Sequence, residues 1–221
     1  MELLVATLAY TKPGRDADIL AHIRLIFDTV RNAPGLVTTR FYRSQGSDSY
    51  YFMLTTWDEE ESWRRAQERH NPRNLLLTSA QELLLAPPEQ WLLRYLWGYS
   101  RPAASATLAA LYLAAIRPDQ TEFTQRGWIT GLQRQASQST LAFAFLARGA
   151  REETLATQEG PLPTTLRSPD PVYQQGSILL NLFSWASESE REEFFADPQY
   201  QAIHKFVSSV GVVRMLHLEP M

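Results

Sequence analysis

Asn181 and Trp185 are two residues of this sequence that could carry chemistry together. They lie four residues apart in an apolar run, 177–188, that is rich in aromatic residues. Because side chains alternate across a strand, both would lie on one face, together with Phe183. The amide could hydrogen-bond an oxygen of a small aromatic substrate while the indole stacks on its ring. The alternative is that Trp185 is a core residue and Asn181 is a buried amide with its hydrogen bonds made inside the protein.

The same kind of stretch occurs earlier in the chain, at residues 50–59. Both copies end in a Trp and run directly into an acidic, helix-forming segment. Each then reaches an Asx-Pro pair, at 71–72 in the first copy and 197–198 in the second. A repeat with this internal order indicates a duplication within the chain.

The order of predicted elements repeats as well. Apolar periodicity gives strand, helix, strand, strand, helix, strand up to residue 100, and the same order then begins again. We therefore predict two domains, 1–100 and 104–221. Strands that are apolar on both faces must be buried on both faces. We therefore expect helices to pack on one face of each sheet and the two sheets to pack on each other through their remaining faces. The expected fold class is α+β, with two βαββαβ units packed within one chain.

Two predicted helices should face their sheets through apolar stripes. Over 16–32 the stripe consists of Ile19, Ile23, Ile26, Phe27 and Val30, and over 122–136 it consists of Phe123, Ile129 and Leu132. The main difference between the copies is the segment 149–176, which is rich in Pro and replaces a short turn. Segments of this length in compact domains are functional lids or disordered, and both alternatives stay open.

The composition excludes several classes of partner. A formal net charge of −3 and a pI near 5.8 leave no basic surface for a phosphate backbone, so we expect no nucleic-acid partner. The sequence has no run of like charges that would favour a membrane surface, and its longest apolar run is too short to span a bilayer. We therefore expect no membrane partner. The absence of Cys, together with an N-terminus that has no positive leader, predicts a cytoplasmic protein. The four His are far apart, so no metal site is expected.

Several short motifs of the first copy, taken in order, carry a family resemblance. They are Pro13-Gly14, Ala33-Pro34-Gly35-Leu36, Phe41-Tyr42-Arg43-Ser44, Phe52-Met53-Leu54 and Trp57-Asp58-Glu59-Glu60. Together they resemble the antibiotic biosynthesis monooxygenase type of dimeric α/β barrel, a ferredoxin-like fold, over about all of residues 1–100. The second copy resembles this type more loosely over 106–219. The resemblance implies that one chain forms the barrel that single-copy members build from two subunits.

The superfamily includes quinol and anthrone oxygenases, haem-degrading enzymes, isomerases and members with no known reaction. Quinol-oxidising members use an Asn four residues before the strand-ending Trp, which the resemblance places at Asn181 and Trp185. The first copy has Met53 in place of that Asn, followed by Trp57 and Trp63. The resemblance therefore implies a cofactor-free oxygenase site, and it implies it for the second copy in particular.

Haem-degrading members use an Asn in the first strand and a Trp and a His after the third. The matching positions are Thr7, Ala66 and Leu76 in the first copy and Tyr112, Phe194 and His204 in the second. Only His204 has the required residue type. One agreement in six positions is poor support for haem, and His204 is better explained as a partly exposed helix histidine beside Tyr200.

We expect a cofactor-independent monooxygenase that acts on a small aromatic or quinol-like substrate. A non-catalytic protein that binds a small ligand or serves in assembly is the second reading, and haem binding is the third. The residues expected at the site are, as catalytic groups, Asn181, Trp185 and His204 and, around the substrate, Tyr112, Tyr200, Phe183, Trp57 and Trp63. The duplication predicts a pseudo-dimer within one chain, and further homo-oligomerisation stays open.

Overall fold

The structure is a computed structural model that describes residues 2–46, 49–138, 140–149 and 177–221. The segment 149–176 is predicted to be a functional lid or disordered. Its residues 150–176 lie outside the described residues. The chain divides into two compact units, Met1–Arg94 with Glu219–Met221 and Tyr95–Leu218, which are called unit 1 and unit 2 below. The predicted domains, 1–100 and 104–221, stay a prediction.

The first copy contains four strands and three helices. They are β1 (Leu3–Tyr10), α1 (Asp16–Val30), β2 (Leu36–Ser44), β3 (Tyr50–Trp57), α2 (Glu60–His70), α3 (Pro72–Ser79) and β4 (Glu89–Ser100). Helix α3 begins at Pro72, because the Asn71 side chain accepts a hydrogen bond from the Arg73 backbone N–H at 3.0 Å and Pro72 occupies the first helical position.

The second copy repeats this order. Its elements are β5 (Leu108–Ile116), α4 (Thr121–Ser137), β6 (Phe143–Gly149), β7 (Ser177–Trp185), α5 (Glu188–Ala196), α6 (Pro198–Val210) and β8 (Gly211–Pro220). Asp197 caps α6 by accepting hydrogen bonds from the backbone N–H groups of Gln199 and Tyr200, at 2.8 and 2.9 Å. The Asx-Pro pair therefore starts the corresponding helix in both copies.

The strand pairing of the two copies is equivalent residue by residue. In the first copy β1 runs antiparallel to β3, with Leu3 opposite Trp57. In the second copy β5 runs antiparallel to β7, with Leu108 opposite Trp185. Thus the Trp that ends each repeated stretch occupies the same place in its own sheet.

Hydrogen bonds join the strands of the first copy in the order β4-β1-β3-β2 and those of the second copy in the order β8-β5-β7-β6. The expected fold class is confirmed: the chain is α+β, with two ferredoxin-like βαββαβ units. No helix in the described part of the chain is long and apolar enough to cross a membrane.

Helix α1 packs on the sheet of unit 1 as its sequence predicts. Ile19, Ile23, Ile26 and Val30 are buried in one cluster, to which the sheet contributes large side chains that include Met53. A spacing of three and four residues keeps such a stripe on one side of a helix. The prediction for this helix is confirmed.

The predicted stripe of α4 is wrong in one residue. Phe123 is 60% exposed, whereas Trp128 and Leu132 are buried. The buried side of α4 runs through Thr121, Thr124, Trp128, Gly131, Leu132 and Gln135. Because most of these side chains are polar or small, the buried stripe is not an apolar stripe, and Phe123 packs instead beside Phe206 with ring centroids 5.1 Å apart.

Candidate functional site

The structure brings together six of the eight residues predicted for the site. All six belong to unit 2 and lie where its sheet packs against its helices: Tyr112 on β5, Asn181, Phe183 and Trp185 on β7, and Tyr200 and His204 on α6. Trp57 on β3 and Trp63 on α2 belong to unit 1. The predicted residues therefore fall into two groups, one in each unit.

Asn181 is the least expected group on this face of unit 2. Its side chain is fully buried, opposite Tyr112 on β5 and Leu146 on β6. Neither the amide nitrogen nor the amide oxygen has a hydrogen-bond partner among the residues that the structure describes. The alternative predicts that the Asn181 amide makes its hydrogen bonds inside the protein. No described residue supplies these hydrogen bonds. An unpaired buried polar group costs about 1 to 3 kcal/mol, so it needs an explanation.

Trp128 of α4 packs on two neighbours of Asn181. Its indole ring lies 5.0 Å from the ring of Tyr112, the cross-strand neighbour of Asn181, and 5.8 Å from the ring of Phe183, two residues further along β7. Trp128 is the residue of this face that the sequence reading missed. Its burial could have been predicted from its position four residues before Leu132, because this spacing places both residues on the same side of α4.

Tyr112 and His204 form a hydrogen-bonded pair beside Asn181. The hydroxyl oxygen of Tyr112 lies 3.2 Å from Nδ1 of His204. Tyr112 is fully buried, whereas His204 is half-buried. The ring of Tyr200 stacks parallel to the His204 ring, with centroids 6.0 Å apart and planes 5° apart. The pair therefore leads from the buried sheet towards the surface of α6.

An aromatic cluster closes the site on the side of Trp185. Its members are Phe183, Trp185, Phe194, Phe195 and Tyr200, with ring centroids 4.8 to 6.5 Å apart among the contacting pairs. Such distances are typical of tilted and edge-to-face packing. The Trp185 Nε1 and the Tyr200 hydroxyl, like the Trp128 Nε1, are buried without a hydrogen-bond partner among the described residues. Unsatisfied donors thus surround an otherwise apolar region.

A small cavity lies between α4, α5 and α6 next to this cluster. Its volume is about 10 Å³, and its lining includes Trp128, Gly131, Tyr200 and Ile203. Gly131 lets the two longer helices approach closely, because a Cβ atom at this position would lie 2.6 Å from Cδ1 of Ile203. The cavity has room for about one water molecule. An aromatic ligand can enter only if side chains move.

Burial raises the pKa of the Tyr112 hydroxyl far above its ordinary value of 10.0, with a smaller contribution from the charge that Tyr200 would carry. Burial also raises the pKa of the Tyr200 hydroxyl. In both cases the cause is that a phenolate would lose its hydration. Both hydroxyls are therefore protonated at neutral pH and can donate hydrogen bonds.

These shifts predict a loss of stability in alkali. Each raised pKa gives stability that is complete below the unfolded value of 10.0 and is lost as the pH rises above it. Between about pH 9 and about pH 11, the parent should lose roughly 2 to 3 kcal/mol more unfolding free energy than the variant Tyr112→Phe with Tyr200→Phe. Urea unfolding at a series of pH values measures this difference. Equal losses in both proteins would show that the two hydroxyls ionise as freely in the folded state as in the unfolded chain.

The positions of unit 1 that correspond to Tyr112 and Asn181 contain no unpaired amide, although Nε1 of Trp63 nearby is buried without a hydrogen-bond partner among the described residues. Thr7, which occupies the place of Tyr112, accepts a hydrogen bond from Nε2 of Gln90 at 2.9 Å. The same Gln90 nitrogen lies 2.9 Å from Oδ1 of Asn71. Met53 lies opposite Thr7, in the place of Asn181. Unit 1 therefore has neither the unpaired amide nor the tyrosine–histidine pair.

Trp57 and Trp63 pack against each other in unit 1. Their ring centroids lie 5.3 Å apart, and both side chains are buried. The Trp57 Nε1 donates to Oγ1 of Thr55 at 2.9 Å. A cavity of about 10 Å³ lies near Thr7 and Met53, and neither tryptophan lines it. The contacts of Trp57 and Trp63 are those of core side chains.

The residues around His204 do not fit haem. Its Nδ1 faces the Tyr112 hydroxyl, one face of its ring is stacked on Tyr200, and the adjacent cavity of about 10 Å³ has no room for a macrocycle. In the described ranges no three His, Asp or Glu side chains are grouped as they would be to hold a metal ion.

A family model described as antibiotic biosynthesis monooxygenase matches residues 1–71. No curated protein matches the chain. Among solved structures, an anthrone oxidase-like protein superposes with a TM-score of 0.72 at 12% identity, covering 100% of this chain and 91% of that one. A candidate monooxygenase from Fusobacterium nucleatum superposes with a TM-score of 0.69 at 5% identity, covering 99% and 92%.

A third similar structure is a major regulator of staphylococcal pathogenesis, with a TM-score of 0.56, 10% identity and coverage of 99% of both chains. At these identities the similarities show the fold alone, and proteins with different roles share it. The resemblance found in the sequence is nevertheless confirmed by the family match over residues 1–71. The chain contains the ferredoxin-like βαββαβ fold in two copies, and its first 71 residues are similar to the antibiotic biosynthesis monooxygenase family.

Proposed function

We propose that the protein is a cofactor-independent monooxygenase whose site is the helix-covered face of unit 2. The observation that carries this proposal is the Asn181 amide, fully buried and without a hydrogen-bond partner among the described residues. An apolar region with a few converging polar groups is the usual form of a small-molecule site. A substrate oxygen bound at Asn181 would satisfy the amide and explain its burial.

The surroundings of Asn181 favour a flat phenolic substrate with an activated CH2 group. The amide N–H would donate to the substrate oxygen and stabilise the negative charge that forms when the substrate loses a proton. Aromatic side chains such as Phe183 and Trp185 would pack on the ring. The resulting anion is electron-rich enough to react with O2. The CH2 carbon then loses two hydrogens and gains one oxygen atom, and the second oxygen atom leaves as water, so no external reductant is required.

Entry of such a substrate requires movement at the interface of α4 and α6. The cavity there is about 10 Å³, far below the roughly 300 Å³ or more of ordinary ligand pockets. The contact that closes it includes the end of the Ile203 side chain, which is flexible and only half-buried. A rotation of Ile203 is a small change that would widen the gap beside Gly131.

Oxygen uptake tests the proposal. Dithranol and a series of hydroquinones serve as probes, with the rate corrected for autoxidation in protein-free buffer. We expect uptake with the parent, loss of at least about tenfold with Asn181→Leu, which removes about 1.4 kcal/mol or more of transition-state stabilisation, and parent-like uptake with Met53→Leu. Met53 is the matched control because it has the same place in the first copy. Uptake by Asn181→Leu at the parental rate would contradict the assignment.

The second candidate is a protein of the same fold that binds a small ligand, or assembles with a partner, without catalysis. The small size of both described cavities, about 10 Å³ each, favours it. It predicts that a phenol binds in an Asn181-dependent way while oxygen uptake stays at the protein-free rate. Binding and uptake measured on the same samples therefore separate the two candidates.

A further inference from the structure

We infer that Tyr112 and His204 form a relay that takes the proton from a substrate hydroxyl bound at Asn181 and holds it on His204. The inference rests on the proposed function and adds to it the path of the proton. A cofactor-free oxygenase must remove a proton from its substrate before O2 can react, and the acceptor must stand within hydrogen-bond reach. Tyr112 is the cross-strand neighbour of Asn181, and its hydroxyl contacts His204.

Tyr112 has the position of the first acceptor. It lies directly opposite Asn181 in the antiparallel ladder of β5 and β7. Residues paired in this way project from the same face with Cβ atoms about 4.5 to 5.5 Å apart. A hydroxyl held by the Asn181 amide would therefore lie beside the Tyr112 side chain. The Tyr112 hydroxyl in turn lies 3.2 Å from Nδ1 of His204.

The burial of the two residues fixes which of them keeps the proton. Tyr112 is fully buried, and a charge left on its oxygen would be poorly solvated. His204 is half-buried on α6, so its imidazolium form reaches water. The Tyr200 ring lies parallel to the His204 ring, with its centroid 6.0 Å away. Tyr112 and Tyr200, whose rings contact the ring of His204, are both uncharged at neutral pH.

The step balances as two proton transfers. In the resting state the Tyr112 O–H donates to Nδ1, so neutral His204 carries its proton on Nε2. The substrate reacts as its enol tautomer, in which one CH2 hydrogen has moved to a conjugated carbonyl oxygen, and this O–H passes its proton to the Tyr112 oxygen while the Tyr112 proton moves to Nδ1. The products are a substrate anion bound by the Asn181 N–H and a His204 imidazolium. After O2 has reacted, the same path returns the proton to the oxygen that leaves as water.

The first copy has no such path. Thr7 stands in the place of Tyr112, and its hydroxyl accepts from the uncharged amide of Gln90. Met53 replaces Asn181 opposite it. None of these side chains changes its protonation state in the ordinary pH range. The relay therefore belongs to the second copy alone.

A coloured phenol tests the relay without any turnover. The probe is 4-nitrophenol, whose phenolate and phenol forms absorb at different wavelengths, at a pH about one unit below its pKa in free solution. We expect the parent to bind it with the phenolate spectrum. Tyr112→Phe and His204→Ala should bind it as neutral phenol, with affinity lowered no more than about tenfold, or about 1.4 kcal/mol. Added imidazole should restore the phenolate spectrum in His204→Ala.

His22→Ala is the matched control, because His22 is a half-buried helix histidine of unit 1 and should leave the spectrum as in the parent. Circular dichroism confirms that each variant is folded. If the parent binds only the neutral phenol, or if Tyr112→Phe keeps the phenolate spectrum, the relay is wrong while Asn181-dependent binding still supports the site. If the parent does not bind the probe at all, the proposed function is contradicted together with the relay.

Discussion

Replacing Trp128 by Ala is expected to lower the unfolding free energy by about 3 to 5 kcal/mol, the usual range for removing a buried Trp side chain. Trp128 is 1% exposed and contacts the rings of Tyr112, Phe183 and Tyr200. Its loss leaves a cavity between α4 and the sheet. The neighbouring rings cannot fill this cavity unless the backbone that carries them moves. Urea or thermal unfolding measures the change.

Phe123→Ala is the control for this prediction. Phe123 lies on the same helix and is also aromatic, but it is 60% exposed, so its removal should change the unfolding free energy by no more than about 0.5 kcal/mol. Equal effects of the two substitutions would show that α4 does not pack on the sheet through Trp128. A larger effect of Phe123→Ala would mean that the helix is rotated about its axis.

Asn181→Leu is expected to have two opposite effects. It should raise the unfolding free energy by about 1 to 3 kcal/mol, because it replaces a buried amide that lacks partners among the described residues with an apolar side chain of similar volume. It should also abolish the binding of phenols, because the group that holds the substrate oxygen is gone. A gain in stability together with a loss of function is typical of a polar residue kept for its ligand.

The reciprocal change in the first copy separates this explanation from a general tolerance of the fold. Met53→Asn places an amide at the equivalent position of β3, where Met53 is 4% exposed in an apolar cluster. It should lower the unfolding free energy by about 1 to 3 kcal/mol. If Asn181→Leu instead destabilises the protein by a similar amount, the Asn181 amide has hydrogen-bond partners in the folded protein. Its burial would then be no evidence for a ligand.

The fold was accessible to sequence reasoning because both copies carry the same local signals. Each strand that ends in a Trp is followed by a helix, and each Asx-Pro pair starts another, so local chemistry alone sets the order of the elements. The helix-capping interactions of Asn71 and Asp197 are made with neighbours in sequence, so the Asx-Pro pairs encode them locally. The buried side of α4 could not be predicted in the same way, because Thr, Gly and Gln residues there are buried by tertiary packing rather than by their own apolarity.

The candidate site was predictable only in its residue types. Asn181 and Trp185 share a face of one strand, which follows from alternation. The contact between Tyr112 and His204 joins residues 92 positions apart, and no sequence period encodes it. The sequence also could not show that Asn181 lacks hydrogen-bond partners. This depends on whether any neighbouring strand or helix places a donor or acceptor next to the amide. Trp57 and Trp63, predicted from the repeat, belong to unit 1, where their contacts are those of core side chains.

The most direct test is to observe the Asn181 side-chain amide itself by NMR in the presence of a phenol. Its N–H2 resonances in the ¹⁵N-labelled protein are assigned by their absence from Asn181→Leu, and a hydroquinone is then titrated in. We predict that these resonances shift in a saturable way as the amide gains its missing hydrogen bonds. The N–H2 resonances of Asn71, whose side-chain oxygen already accepts hydrogen bonds from Arg73 and Gln90 in unit 1, should not shift. Unchanged Asn181 resonances at concentrations of hydroquinone that bind the protein would contradict the central claim.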